Sequence, residues 1–272
     1  DLGQLLFVRH ARGVSLTPAG QELLEAAEQL LSEAEALRHS VGRPQEGPRG
    51  VVTIGLSPGI AELLGAPLVT ACARRYPDLR LRIASAFSLS LQEWTAEGRV
   101  DLAILSGICD PVRFALTPLL QEPLCLVCRT DDRRFSGSRL DLKSLTSVPL
   151  VLIGPTGSAV QQMLYGALAS TGLALNVAAQ VDTAAVAKRL VLAGIGPTVD
   201  VTAMAQAEIA QGLLKTLPIG QLQLARVMAR PRGRQPSPAV LATMRLLVDC
   251  VHDMMEQGQW LGAVPTPDPA AR

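Results

Sequence analysis

The fold is decided by the stretch VVTIGLSPGIAELLGAPLVTACARRYPDLRLRIAS, residues 51–85. It begins and ends with apolar runs of strand length and carries a helical pattern between them. The same alternation continues to residue 105. The predicted elements are strands over Val51–Leu56, Arg80–Ala84 and Leu102–Leu105, and helices over Ala61–Arg75 and Leu89–Glu97. Strands that alternate with helices predict a parallel sheet covered by helices.

A second series of strands and helices follows downstream. Its predicted strands are Leu124–Cys128, Leu150–Ile153, Leu175–Gln180, Pro197–Val199, Leu213–Leu217 and Leu222–Ala229, and its predicted helices run over 158–170, Lys188–Leu192, Thr202–Gln211 and 238–257. Two α/β units joined by crossing strands leave a cleft where strand ends and helix N-termini converge. The sequence therefore predicts a small-molecule site between the units.

Upstream of this region, a long amphipathic helix is predicted. Thr17 and Pro18 suit its N-cap and first position. Apolar residues then recur at alternating spacings of four and three, at Leu23, Ala27, Leu30, Ala34 and Leu37. This pattern predicts a helix that pairs with a second copy of the chain, and the alternative is an ordinary amphipathic helix on its own domain. A linker rich in Gly and Pro follows, over 42–50.

Composition narrows the possible functions. Apolar residues make up 48% of the chain, and 25 Lys and Arg stand against 24 Asp and Glu, so any nucleic-acid contact requires a local basic surface. The five cysteines are scattered in apolar runs, and Cys125 and Cys128 are interpreted as core residues rather than a zinc site. No metal or cofactor is expected. The absence of a long apolar span or signal peptide predicts a cytoplasmic protein without membrane contact.

The motifs resemble the LysR-type transcriptional regulators. The run Leu6-Phe7-Val8-Arg9-His10-Ala11-Arg12-Gly13-Val14-Ser15-Leu16-Thr17-Pro18-Ala19-Gly20 is similar to the family's wing and the start of its linker helix. Further matches occur at Gly50–Gly55, Tyr76–Leu79, Val100–Ile104 and Leu192–Gly196, so the resemblance covers about residues 4–255. Leu56–Gly59 and Gln257–Trp260 are most similar to the branch of the nitrogen assimilation control protein.

The resemblance implies an α/β fold with a remnant of a winged helix-turn-helix, a linker helix and a periplasmic-binding-protein-like effector domain of two subdomains. The expected boundaries are 1–16 for the wing remnant, 17–49 for the dimerisation helix and hinge, 50–120 with 236–257 for subdomain I, 121–235 for subdomain II and 258–272 for a loose tail. Promoter DNA, a small-molecule effector, a second copy of the chain in a dimer or tetramer, and RNA polymerase are the implied partners. The helix-turn-helix itself is not in this sequence. The chain also departs from the family pattern by having Pro197 directly after Gly196 and Asp200 near the place where the family carries a proline.

The residues expected to contact DNA are Arg9, His10 and Arg12, which form a basic loop before Gly13. A wing of this kind positions the protein on phosphates or in the minor groove. The alternative is a solvated turn whose charges have no partner.

The residues expected to bind the effector lie where strands meet helices. By resemblance, Ser57, Phe87, Ser88, Ser106, Thr156, Ser158, Asp182, Thr183 and Ile195 line the cleft. Hydroxyl groups and free N–H groups at helix starts favour a small organic anion. Each hydroxyl has the alternative role of a helix N-cap. Because no Arg is evidently placed to clamp a carboxylate bidentately, an uncharged, weakly bound or absent effector remains an alternative.

An enzyme is not expected, since the sequence contains neither a nucleophile elbow nor a phosphate-binding or dinucleotide-binding loop. The function predicted from the sequence is effector-responsive transcriptional regulation. The alternative is a stand-alone binding module of the periplasmic-receptor type without DNA-binding activity.

Overall fold

The computed structural model describes residues 3–10, 13–24, 26, 27, 30, 34, 47–169 and 171–266. The chain divides into two compact units, one over residues 1–47 and one over residues 48–272.

The first unit contains a short antiparallel hairpin, in which β1 (Phe7–His10) pairs with β2 (Gly13–Leu16). A helix begins at residue 18, and the Thr17 hydroxyl accepts a hydrogen bond of 3.0 Å from the backbone N–H of Gly20, which confirms the predicted N-cap. A Cβ atom at Gly20 would lie 2.0 Å from the carbonyl oxygen of Leu6. Only glycine therefore lets the helix start pack this closely on the strand before it.

The second unit is built on one mixed sheet of nine strands. The strands are β3 (Gly50–Leu56), β4 (Leu79–Ser85), β5 (Leu102–Ser106), β6 (Phe114–Arg129), β7 (Pro149–Ile153), β8 (Asn176–Val181), β9 (Thr198–Val201), β10 (Leu214–Pro231) and β11 (Val264–Pro265). The helices are α1 (Pro58–Arg75), α2 (Ser88–Glu97), α3 (Ala159–Leu168), α4 (Ala184–Leu192), α5 (Gln206–Ala210) and α6 (Pro238–Glu256), with 3-10 turns at Leu142–Ser147 and Thr202–Ala205.

The sheet is parallel at its two ends and antiparallel in its middle. Its strand order is β4-β3-β5-β10-β6-β9-β7-β8, with β11 added to β6. β3 runs parallel to β4 and β5, and β7 runs parallel to β8 and β9, as the alternation of strands and helices predicts. β10 is antiparallel to both β5 and β6. The parallel arrangement predicted for the strands of residues 51–105 is therefore confirmed, and the antiparallel pairing is made by the long strands that follow.

The two long strands join hydrophobic clusters that lie in different parts of the unit. One cluster contains side chains of α1, β3, β5 and α6, and a second contains side chains of β6, β7 and α3. β6 contributes Leu120 to the first and Leu124 to the second, and β10 contributes Leu224 and Leu217 in the same way. Because each of these two strands contributes buried side chains to both clusters, the strands tie the two clusters together.

The segment after α6 differs from the loose tail predicted for it. Trp260 is only 3% exposed, and Val264–Pro265 pairs with β6 at Gln121 and Leu120. Since the indole ring packs into the core, it anchors the chain up to this short strand. Among the described residues, no helix combines the length and apolar character needed to cross a membrane.

Candidate ligand-binding cavity

Four helix N-termini and five strands of the second unit surround a cavity of about 90 Å³. The helix starts contribute Ser57, Pro58, Gly59 and Ile60 of α1, Phe87 and Ser88 of α2, Ser158, Ala159 and Val160 of α3, and Asp182 and Ala184 of α4. The strands contribute Ser106 of β5, Glu122 of β6, Ile153 of β7, Asp200 and Val201 of β9, and Leu224 and Arg226 of β10. This volume accommodates a few small polar groups, and the N-terminal ends of helices carry a partial positive charge toward it.

The hydroxyl groups of the cavity do not have one shared role. Ser57 is the N-cap of α1 and Ser158 is the N-cap of α3, yet neither side chain makes a capping hydrogen bond. The Ser158 hydroxyl instead donates to the carbonyl oxygen of Ile153 at 3.3 Å. The backbone N–H groups at the start of α1 therefore keep their hydrogen-bonding capacity for another acceptor.

The ring of Phe87, which lines the cavity, packs closely against the backbone at Gly154 in the loop after β7. A Cβ atom at Gly154 would lie 2.7 Å from Cε1 of the Phe87 ring. Gly154 also has a φ of +84°, a conformation that side chains other than glycine's rarely adopt. This glycine therefore lets the loop after β7 pass directly against the aromatic ring.

A buried ion pair lies in the cavity wall. Arg226 Nε donates to Glu122 Oε2 at 2.6 Å, and the two residues are 6% and 1% exposed. The guanidinium group also donates from Nη1 to the Ser106 hydroxyl at 2.6 Å, and the Ser88 hydroxyl accepts from the backbone N–H of Ser106 at 3.1 Å. Glu122 receives a further hydrogen bond of 2.8 Å from the indole of Trp260. This network fixes one face of the cavity.

The sequence reasoning missed this ion pair. The signal was a charged residue inside an apolar run, at Glu122 between Leu120 and Leu124 and at Arg226 between Leu224 and Val227. Charges at such positions are rarely buried unless they are paired. The pair also brings an Arg to the cavity, although no Arg was evidently placed there to clamp a carboxylate of the effector.

Asp200 brings a second carboxyl group to the cavity. Desolvation by burial raises its pKa from the usual range to about 6. A hydrogen bond of 2.7 Å from the backbone N–H of Val201, together with the nearby charge of Arg226, opposes this rise, and the charge of Glu122 adds to it. The carboxyl group therefore changes its charge in the physiological pH range.

Six of the nine residues predicted to bind the effector line this cavity, namely Ser57, Phe87, Ser88, Ser106, Ser158 and Asp182. The other three do not. The Thr183 hydroxyl caps α4 by accepting from the backbone N–H of Val186 at 3.3 Å. Thr156 is exposed, and Ile195 is 46% exposed in the turn after α4. Thr183 therefore makes the contact of a helix N-cap, which was the alternative role considered for each hydroxyl.

The predicted DNA and dimer residues belong to the first unit. Arg9 and His10 are exposed on β1, and His10 Nε2 lies 2.8 Å from the Ser15 hydroxyl. Leu23 and Leu30 are 39% and 66% exposed. Ala27 is half-buried, Ala34 is exposed, and Arg12 and Leu37 lie outside the described residues.

The cysteines are free thiols in the described part of the chain. Cys125 lies 3.5 Å from the Thr202 hydroxyl, and burial raises the pKa of Cys128 to about 11. Such thiols are poor metal ligands at neutral pH. Among the described residues, no three His, Cys, Asp or Glu side chains come together as a metal site.

The family model described as the LysR substrate binding domain matches residues 45–251. The uncharacterized HTH-type transcriptional regulator YcgK of Bacillus subtilis is 26% identical over 216 residues, which cover 73% of this chain and 66% of that protein. The nitrogen assimilation regulatory protein nac of Klebsiella aerogenes is 24% identical over 254 residues, covering 92% of this chain and 82% of that protein. These two identities do not separate the nitrogen assimilation branch from other regulators.

The regulatory domain of CcmR from Synechocystis PCC6803, solved in complex with 2-PG, superimposes with a TM-score of 0.68 at 17% identity. The match covers 76% of this chain and 99% of that one, and it shows the shared fold. Both named relatives are transcriptional regulators. With the family model matched over more than 200 residues of the α/β unit, the chain belongs to the LysR family of transcriptional regulators and carries its effector-binding domain.

Proposed function

We propose that this chain senses a small organic, anionic molecule in the cavity and acts on promoter DNA as a homo-oligomer. The observation that carries the proposal is the convergence of the N-termini of α1, α2, α3 and α4 on one cavity within the matched domain. Helix N-termini offer free backbone N–H groups and a favourable dipole to an anion.

Ser57 is the best-placed residue for this role. It lines the cavity directly before Pro58, and its side chain makes no capping hydrogen bond. The hydroxyl and the first N–H groups of α1 together suit a carboxylate. The remaining N–H groups of Arg226 add charge-assisted donors, because within the described part of the chain two of its five donors are used, by Glu122 and Ser106.

The first unit supplies the proposed contacts with DNA and with a second copy. Arg9 and His10 extend along an exposed hairpin strand, which suits contact with phosphates. Leu23 and Leu30 expose apolar surface on the linker helix, which suits pairing with the same helix of another chain. The wing would end at residue 16, the dimerisation helix and hinge at residue 49, and subdomain II would span 121–235. Pairing of dimers into tetramers and contact with RNA polymerase complete the proposal.

The sensing proposal is tested by differential scanning fluorimetry with a panel of carboxylates and amino acids. A ligand at 100 times its Kd stabilises by about 2.7 kcal/mol, which corresponds to a rise in Tm of several degrees. Ser57→Leu fills the cavity and should abolish the rise, whereas Ser138→Leu, at an exposed serine outside it, should preserve it. No shift with any compound would refute the sensing function.

The DNA proposal is tested in a chain that includes the family's helix-turn-helix. Arg9→Ala combined with Arg12→Ala should weaken operator binding and reduce the dependence of log K on log salt by up to about two counterions. An unchanged salt slope would remove the wing from the DNA contacts.

A further inference from the structure

We infer that the ligand of this cavity carries a protonated amine in addition to its anionic group, and so belongs to the zwitterionic class that includes free amino acids. The inference rests on the proposed sensing function, because it concerns the ligand of the same cavity. It follows from the way in which charges are distributed around the wall.

Both carboxylate oxygens of Glu122 already accept hydrogen bonds within the protein. Its Oε2 accepts from Arg226 and its Oε1 accepts from Trp260, at 2.6 and 2.8 Å. The side chain is 1% exposed. The negative charge of Glu122 is therefore already balanced by Arg226, and this pair contributes almost no net charge to the cavity.

Asp200 is the carboxyl group that lacks a cation of its own. It lies on β9, beside Cys125 of the neighbouring strand β6, and lines the cavity. In the described part of the chain, its side chain accepts a hydrogen bond only from the adjacent N–H of Val201, at 2.7 Å. The charge of Arg226 is close enough to lower the pKa of Asp200, but the hydrogen bonds that Arg226 donates go to Glu122 and Ser106.

A second carboxyl group lies at the mouth of the same cavity. Asp182 precedes α4 and is exposed to solvent. Three carboxyl groups therefore face one guanidinium group. A ligand with negative charge alone would increase the excess of negative charge in a site shielded from water, where unbalanced charges are costly. An ammonium group placed at Asp200 would balance the charge of that carboxylate.

The anionic group of such a ligand has its place at the other side of the cavity. The start of α1 offers the backbone N–H groups of Gly59 and Ile60, the Ser57 hydroxyl and the positive end of the helix dipole. Acidic residues are absent from the first turn of α1, α2 and α3. The cavity thus offers partial positive charge at the helix starts and negative charge at β9, which matches a short zwitterion.

Asp200 also predicts how binding depends on pH. With its pKa raised to about 6, the free side chain is mostly ionised at pH 7.5 and mostly protonated at pH 5.5. The charged groups that face it are Glu122, Arg226 and Asp182, and Cys125 is its neighbour across the strands. A ligand amine therefore binds more weakly as the pH falls through 6, because protonated Asp200 offers no charge.

The experiment compares ligands that differ by one group. Each set holds a 2-amino acid, the 2-hydroxy acid of the same carbon skeleton and the amino alcohol that lacks the carboxylate, for example alanine, lactate and 2-aminopropan-1-ol. Sets built on serine, aspartate and glutamate are added, and Kd is measured by scanning fluorimetry at pH 7.5 and 5.5. We expect an amino acid to bind at least tenfold more tightly than its hydroxy acid at pH 7.5.

Two variants separate the contribution of Asp200 from an effect on folding. Asp200→Asn keeps the shape of the side chain and should reduce the preference for the amine to less than about twofold. Asp78→Asn, at an exposed turn outside the cavity, should leave it unchanged. Melting curves without ligand show that each variant is folded, and the pH profile of the unaltered chain tests the same point without a substitution.

The possible results have distinct meanings. Hydroxy acids or other carboxylates that bind as tightly as the amino acids would overturn the zwitterion inference and leave the sensing function in place. Binding that strengthens as the pH falls from 7.5 to 5.5 would also overturn it. Absence of binding by every compound, including simple carboxylates, would overturn the inference and the proposed function together.

Discussion

The indole Nε1 of Trp260 donates a hydrogen bond of 2.8 Å to Oε1 of Glu122, and this bond joins the segment after α6 to the wall of the cavity. Both side chains are almost fully buried, at 3% and 1% exposure. Because Glu122 also holds Arg226, a change in Trp260 is transmitted to the ion pair in the cavity wall. The first prediction concerns this bond.

Trp260→Phe should lower the free energy of unfolding by about 1–3 kcal/mol. Phenylalanine retains an apolar ring but leaves one oxygen of a buried carboxylate without its donor. Urea denaturation followed by circular dichroism measures the effect. Trp94→Phe serves as the control, because Trp94 is partly exposed and the centroid of its ring lies 4.9 Å from Cζ of Arg99. Equal losses in the two variants would contradict a specific role for the Glu122 bond.

The buried ion pair predicts strong coupling between its two members. Arg226→Met should cost about 3–5 kcal/mol, because it leaves the Glu122 carboxylate buried without a cation. Adding Glu122→Gln removes that charge and should recover a large part of the loss. The measurement is a double-mutant cycle of unfolding free energies. Additive losses would indicate that the two side chains act independently.

The positions of most elements were predictable because their signals are local. The predicted start of α6 at Pro238 is confirmed, and the Ser237 hydroxyl before it accepts from the backbone N–H of Val240 at 3.2 Å. The helix ends at Glu256, one residue before the predicted end. Caps of this kind depend on residues that are neighbours in sequence.

The centre of the sheet was not predictable in the same way. The strands predicted as Leu213–Leu217 and Leu222–Ala229 form one strand, β10, whose pairing with β6 shifts register between Pro218 and Gln223. Such pairing is decided by packing between distant parts of the chain. Arg226 and Glu122 are likewise 104 positions apart, and local pattern carries no information on their meeting. The serines were found because helix starts are local, whereas Thr183 shows that a cap and a ligand residue have the same sequence signal.

Asp200→Asn should stabilise the ligand-free protein above pH 6. The pKa of Asp200 in the folded protein, about 6, exceeds the usual value of 3.8, so the folded protein binds the proton more tightly than the unfolded chain does. The stability that this proton contributes is therefore lost as the pH rises from about 4 to 6. Removing this group should raise the free energy of unfolding at pH 7.5 by up to about 3 kcal/mol and leave it nearly unchanged below pH 4. Denaturation across this pH range measures the difference, with Asp78→Asn as the control. A difference between Asp200→Asn and the unaltered chain that is the same at all pH values would contradict the raised pKa.

Two glycine substitutions should change stability in opposite directions, one at Gly196 in the turn before β9 and one at Gly166 in α3. A Cβ atom at Gly196 would lie 2.0 Å from the carbonyl oxygen of Pro149, at the start of the neighbouring strand β7. Gly196→Ala must therefore push β7 and β9 apart, and we expect a loss of about 1–3 kcal/mol. Gly166→Ala, inside α3 where a Cβ meets nothing within 4 Å, should instead stabilise by about 0.4–1 kcal/mol. Thermal unfolding of both variants gives the comparison. A neutral effect of Gly196→Ala would contradict the claim that the close approach of the two strands requires glycine here. The position of Asp200, four residues later, would then depend on the strand pairing alone.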